Sequence, residues 1–121
     1  MDFKETQAIY LQIVDLVCEN IATGKWKDGE RMPSVRDLGM QLEVNPNTVM
    51  RAYECLQNQE IIFNKRGVGF FVSEEASSRI LEARRMEFID TGLPEIFRRM
   101  KILDISLEVI IREYEKYNRT T

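Results

Sequence analysis

The sequence predicts a mainly α-helical chain with one small β-hairpin. Three observations carry this. Apolar residues recur at helical spacing through most of the chain. Two helix starts have strong capping chemistry, at Ser34 and at Asn45-Pro46. After Glu60 the period changes to two short runs rich in β-branched and aromatic residues around a basic, glycine-bearing tip.

The first helix is expected from about Thr6 to Thr23, where Ile9, Ile13, Leu16, Val17 and Ile21 make one apolar stripe. Gly24 suits its C-terminal cap, and Trp26 sits in the following link, placed to cover a core. Pro33 argues against a helix running through Gly29-Glu30-Arg31-Met32. Ser34 then caps the second helix, with Asp37 at capping-box spacing and Val35, Leu38 and Leu42 as the buried face. After a tight link at Glu43-Val44, Asn45 caps the third helix and Pro46 takes its first position. Val49, Ala52, Tyr53 and Leu56 form its inner stripe, while Asn47, Met50, Arg51 and Glu54 face outward. Two short helices so closely linked match a helix-turn-helix.

Ile61–Asn64 and Phe70–Ser73 read as the strands of a hairpin, with Lys65-Arg66-Gly67-Val68-Gly69 between them. Helix, helix-turn-helix and hairpin in that order make a winged helix-turn-helix over residues 1–73. Residues 74–121 read as a short helical tail, with Ile80, Leu81, Met86, Phe88 and Ile89 supplying apolar surface. Thr91-Gly92-Leu93-Pro94 is expected to break the first tail helix. Leu93, Ile96, Met100, Leu103, Leu107, Ile110, Tyr114 and Tyr117 then alternate by three and four, four heptads of an a/d seam widened by Phe97 and Ile111. Asp104-Ile105-Ser106 is a second point of interruption, with Ser106 able to cap a new start, and the seam is expected to persist either way. The last residues, Asn118 to Thr121, are polar and expected to fray.

Composition narrows the function. With 44% apolar and 31% charged residues the balance is that of a soluble globular protein. No apolar run approaches a membrane span. The polar start, Met1-Asp2-Phe3-Lys4-Glu5, does not read as a signal peptide, so a cytoplasmic location is expected. Histidine is absent, which removes Ser-His and Cys-His nucleophiles and histidine zinc sites. Cys18 and Cys55 lie far apart inside helical patterns and read as reduced, buried thiols. Gly67-Val68-Gly69 lacks the rest of any phosphate-loop fingerprint. An enzyme, a metal and a cofactor are therefore not expected.

The formal net charge is −3, and residues 1–73 carry eight basic against ten acidic side chains. Affinity for DNA depends on cations gathered on one face, not on the total. Arg36 lies early in the second helix, Asn47, Thr48 and Arg51 in the first turns of the third, and Lys65 and Arg66 at the hairpin tip. The first turns of the second unit helix enter the major groove in a helix-turn-helix. There asparagine can read adenine, and arginine can bond guanine or phosphate. Gly67 and Gly69 let backbone approach DNA closely. Plainer readings stand beside these. Ser34, Asp37 and Asn45 serve as caps, which is compatible with phosphate contact; Arg36 and Arg51 also read as solvated charges, Lys65-Arg66 as turn residues, and the seam as intramolecular core.

These residues also carry a resemblance. Pro33-Ser34-Val35-Arg36-Asp37-Leu38 and Val44-Asn45-Pro46-Asn47-Thr48-Val49 resemble the N-terminal domain of GntR-family regulators. Ile9-Tyr10-Leu11-Gln12-Ile13, Gly24-Lys25-Trp26, Gly29-Glu30-Arg31-Met32, Ala52-Tyr53-Glu54-Cys55-Leu56 and Gly67-Val68-Gly69-Phe70-Phe71-Val72 agree with the same family in order along the chain. The 48 residues after Ser73 are too few for a large effector domain, and the short helical tail looks like the YtrA-type subfamily. The resemblance implies homodimeric repressors, often of operons for ATP-driven transporters. It also implies DNA contacts by Ser34, Arg36, Asn47, Thr48 and the wing residues Lys65 to Gly69. The chain departs from the family at Pro46 and Met50, where many relatives carry arginine, and at Asp104, where glycine is common.

Together these readings predict a homodimer on a palindromic, double-stranded operator. The DNA contacts are Ser34, Arg36, Asn45, Asn47, Thr48, Arg51, Lys65, Arg66, Gly67 and Gly69. The tails pair through Leu93, Ile96, Met100, Leu103, Leu107, Ile110 and Tyr114. The residues identify no effector. The rival reading is a winged-helix adaptor that binds protein instead of DNA, which the acidic total suits.

Overall fold

The computed structural model describes residues 7–120. Its elements are α1 (Ile9–Ala22), α2 (Val35–Leu42), α3 (Pro46–Asn58), β1 (Ile62–Lys65), β2 (Gly69–Val72), α4 (Ala76–Glu87), α5 (Leu93–Leu103) and α6 (Leu107–Thr120). The chain forms two compact units, Met1–Ala83 and Arg84–Thr121. The first is a winged helix-turn-helix. Thr6, the expected start of the first helix, lies outside the described residues.

The inner stripes of α1 and α3 build the core. Ile13, Val17 and Ile21 of α1 meet Val49, Ala52, Tyr53 and Leu56 of α3, all essentially inaccessible to solvent. Leu38 joins them from α2, and Ile62, Val72, Ala76 and Ile80 close the far side. Ile9, placed in the α1 stripe by its spacing, is exposed instead because it sits in the first turn, beyond the core's edge. Trp26 packs at the core's margin.

Tyr53 is the largest fully buried side chain. Its ring meets Phe70 of β2 edge-on at 5.0 Å between centroids. Its hydroxyl donates to the Pro33 carbonyl at 2.7 Å. One α3 residue thus ties the recognition-helix position to the wing and to the chain entering α2.

The start signals act as expected. Ser34 Oγ accepts from the Asp37 amide at 3.0 Å, and Asn45 Oδ1 accepts from the Asn47 amide at 2.8 Å, with Pro46 at the first helical position. The stops are less conventional. The α2 helix ends with Val44 N–H donating to the Gly39 carbonyl and Glu43 left-handed at φ 58°. The α3 helix ends the same way through Ile61 N–H and the Leu56 carbonyl, with Glu60 at φ 61°.

The α2–α3 turn is compact because of Gly39. A Cβ there would stand 2.9 Å from the Val44 carbonyl oxygen and 3.5 Å from Pro46 Cα. Both obstacles are backbone. Gly39→Ala should gain up to ~1 kcal/mol of helix propensity and lose more to the clash, for a net loss of about 1–2 kcal/mol. Urea denaturation checks this: a stabilised variant would mean the turn is not constrained by that close approach.

The hairpin pairs Ile62 with Val72, Phe63 with Phe71, Asn64 with Phe70 and Lys65 with Gly69. Ile62 and Val72 are buried, while Phe63 and Phe71 stack on the other face at 5.7 Å. Asp28 fastens the start of α4, its two carboxylate oxygens accepting from the Ser77 amide at 3.0 Å and hydroxyl at 2.8 Å.

In the tail, the expected break at Thr91–Pro94 does not occur. A π-helical turn, Phe88–Gly92, joins α4 to α5, and Leu93 N–H donates five residues back to the Phe88 carbonyl. Pro94 would collide with the carbonyl four residues before it in a regular helix. The wider turn absorbs the proline without ending the helix. At the second expected point the chain is interrupted: Asp104 is left-handed at φ 54°, and α6 begins at Leu107. The heptad seam is therefore not one continuous rod: Leu93, Ile96, Met100 and Leu103 lie on α5, and Leu107, Ile110, Tyr114 and Tyr117 on α6. The α6 helix runs on to Thr120, where polarity predicts fraying, and Thr120 Oγ1 accompanies it with a bond to the Tyr117 carbonyl. On α5 the Arg98 guanidinium grips Glu95 through two bonds of 2.6 and 3.1 Å, holding that carboxyl below its usual pKa.

Candidate nucleic-acid interface

Two helix N-termini and one hairpin tip supply the sequence-predicted DNA contacts. Capping decides how each helix presents itself. The α2 cap consumes one lone-pair site of Ser34 and leaves Arg36 exposed in the first turn. The α3 cap uses the Asn45 carbonyl oxygen, so its amide nitrogen is the group left to point outward. Asn47 and Arg51 are exposed and Thr48 partly so, while the opposite face of the same helix is wholly buried. That contrast is what a recognition helix requires, with one face fixed in the core and one offered to a groove.

Arg51 is less mobile than its exposure implies. Its guanidinium carbon lies 3.9 Å from the centre of the Tyr10 ring, a cation–π contact from α1. A shallow groove lined by Ala8, Ile9, Tyr10, Asn47, Thr48 and Arg51 runs beside the start of α3. Sequence reasoning missed Tyr10. The pair is 41 positions apart, and only the packing of α1 on α3 brings it together.

At the wing, Lys65, Arg66, Gly67 and Val68 are exposed. The turn closes through Val68 N–H to the Lys65 carbonyl at 2.9 Å, with Gly67 at φ 78° and Gly69 at φ 143°, conformations that favour glycine. Arg31, also missed by sequence reasoning, donates from Nη2 to the Val68 carbonyl at 2.6 Å.

In the tail unit, Leu103, Leu107 and Tyr114 are about 60% exposed; Ile96 and Ile110 are exposed to a lesser degree, and Leu93 and Met100 are half-buried. The cysteines are unbridged thiols, Cys18 buried and Cys55 only partly so. Among the described residues no helix is long and apolar enough to cross a membrane, and no cluster of three or more Cys, Asp or Glu is placed to hold a metal ion.

A buried-backed helix in a helix-turn-helix, flanked by a basic wing, defines the DNA-binding class of transcriptional regulators. Residues 9–72, more than half of the chain, match the family described as bacterial regulatory proteins of the gntR family. The HTH-type transcriptional repressor YtrA of Bacillus subtilis strain 168 is 33% identical over 108 residues, covering 89% of this chain and 82% of that protein. The HTH-type regulator YhcF of the same organism is 30% identical, covering 90% of this chain and 88% of that one. A GntR-family regulator from Bacteroides thetaiotaomicron, known by its crystal structure, superposes with a TM-score of 0.78 at 42% identity, covering 93% of this chain and 98% of that chain. The chain belongs to the GntR family and is a YtrA-like transcriptional regulator.

Proposed function

We propose that this protein is a homodimeric repressor that binds a palindromic operator in double-stranded DNA, acting in the cytoplasm. The carrying observation is that Asn47, Thr48 and Arg51 project from the first turns of a helix whose other face is fully buried. Ser34, Arg36 and Asn45 join them at the two helix N-termini, where backbone N–H groups favour phosphate. Lys65 to Gly69 supply a basic wing. Repression is supported by the similarity to YtrA, a repressor by its name. We further propose control of an operon for an ATP-driven transporter, which the resemblance to YtrA-type regulators implies. The exposed apolar residues of α5 and α6 support dimerisation, since each protomer alone leaves them in water. Two recognition helices then address successive major grooves about 34–36 Å apart.

The test is selection from a pool of random duplexes at rising salt, with light scattering on the same sample. Enrichment of a palindrome by a dimer is the expected result. No retention even at low salt would favour a protein-binding adaptor. On the selected duplex, Arg36→Ala and Arg51→Ala should each weaken binding about tenfold, as removal of one phosphate or base interaction does, while both proteins remain folded. A double variant of undiminished affinity would remove both residues from the interface.

A further inference from the structure

Arg31 belongs to neither helix of the helix-turn-helix nor to the hairpin, yet it is built into the wing. It bridges Phe71 in antiparallel fashion. Its neighbours complete the pairing: Met32 N–H donates to the Phe70 carbonyl at 2.8 Å, and Val72 N–H donates to the Glu30 carbonyl at 2.9 Å. Side chains alternate along such a segment. Met32 therefore enters the core, and Arg31 takes the outer face. Directly paired residues share a face, so Arg31, Phe71 and Phe63 form one row, with Lys65 and Gly69 beside it.

On that face the guanidinium is fixed twice. Nη2 donates to the Val68 carbonyl at 2.6 Å. The group also fills the room left by Gly69, where a Cβ would stand 3.3 Å from both Nε and Nη2. A solvated arginine needs neither restraint. Five N–H donors in a rigid fork are available, and one carbonyl engages a single nitrogen. Arg31, Lys65 and Arg66 thus put three cations on the wing of a protein whose net charge is −3.

We propose that Arg31 is a DNA-backbone-contacting residue of the wing, held in place by the Val68 carbonyl and the missing side chain of Gly69. This inference rests on the DNA-binding reading above and names a phosphate contact that reading did not contain. Restraint before binding leaves less side-chain freedom to lose on association, and a preset guanidinium suits a phosphate's two oxygens.

The experiment compares wild type, Arg31→Gln and Arg31→Lys on the selected operator duplex across a salt series. Glutamine loses the charge and, two bonds shorter, also the reach of Nη2 to the Val68 carbonyl; lysine keeps the charge. Arg31→Gln should lower affinity about tenfold and reduce the slope of log K against log salt by about 0.9 for each phosphate no longer neutralised, while Arg31→Lys keeps the slope. All three proteins should stay folded well above the binding temperature, and the salt slope, which a loss of wing packing alone would not change, separates DNA contact from stability. Wild type that binds, with Arg31→Gln binding equally well and with equal slope, overturns this inference alone. Wild type that retains no duplex at low salt overturns the DNA-binding reading and this inference together.

Discussion

Tyr53→Ala is expected to unfold most of the DNA-binding unit near physiological temperature. The side chain is fully buried, and removing an aromatic of this size from a core costs ~3–5 kcal/mol. Domains of this class have only ~5–15 kcal/mol in total. The damage is not confined to α3, because the ring also braces Phe70 and the hydroxyl holds the Pro33 carbonyl. Tyr53→Phe separates the two contributions: it keeps the packing, leaves one carbonyl without its donor, and should cost about 1–2 kcal/mol by urea denaturation. If phenylalanine cost as much as alanine, the hydrogen bond and not the packing would dominate. Burial drives the phenol well above its ordinary value of 10.0. A raised folded-state value means the neutral form is stabilised by folding. That stability is complete below about pH 10 and declines as pH rises beyond it, so wild type should show an alkaline loss of stability that Tyr53→Phe lacks.

The second large effect concerns the tail. Leu107→Glu with Ile110→Glu should convert the proposed dimer to a monomer and lower operator affinity by about 10²–10⁴, the range in which linked sites exceed single ones. Both residues lie on α6 and are exposed within the protomer, Leu107 at 59% and Ile110 at 37%. Charges there oppose an apolar interface. Because Ile110 is partly covered within the protomer, circular dichroism checks folding and should show the helical signal retained. Light scattering reads the oligomeric state and titration of the duplex reads affinity. A double variant that stays dimeric would move the interface elsewhere.

The parts of this structure visible in the sequence are those set by local chemistry. Ser34, Asn45 and Pro46 announce helices because a cap acts within three residues. The hairpin is legible because β-branched and aromatic runs flank a glycine-bearing turn. The features that sequence reasoning misses depend on contacts between distant segments. The Arg31 bond to Val68 spans 37 positions. Gly39 looks like an ordinary helix residue until Val44 and Pro46 fold back against it. The helix stops at Glu43, Glu60 and Asp104 are legible from the links and changes of period around them, although at each an acidic residue holds the left-handed conformation where glycine is customary. At Pro94 the local rule misleads: it predicts a break, and a π turn is the other way a helix can accommodate proline.

The two-faced character of α3 has a consequence for change over time. Val49, Ala52, Tyr53 and Leu56 are at 0% exposure, whereas Asn47, Arg51 and Glu54 share no part of that burial. In the proposed DNA complex, stability and base preference are thus written on separate sides of one thirteen-residue helix. Substitutions on the outer side fall outside the mechanisms that cause large destabilisation. Under the proposed function the helix is an exchangeable reading head: a duplicated gene would drift to a new operator through three or four outward residues while the fold beneath it stays intact.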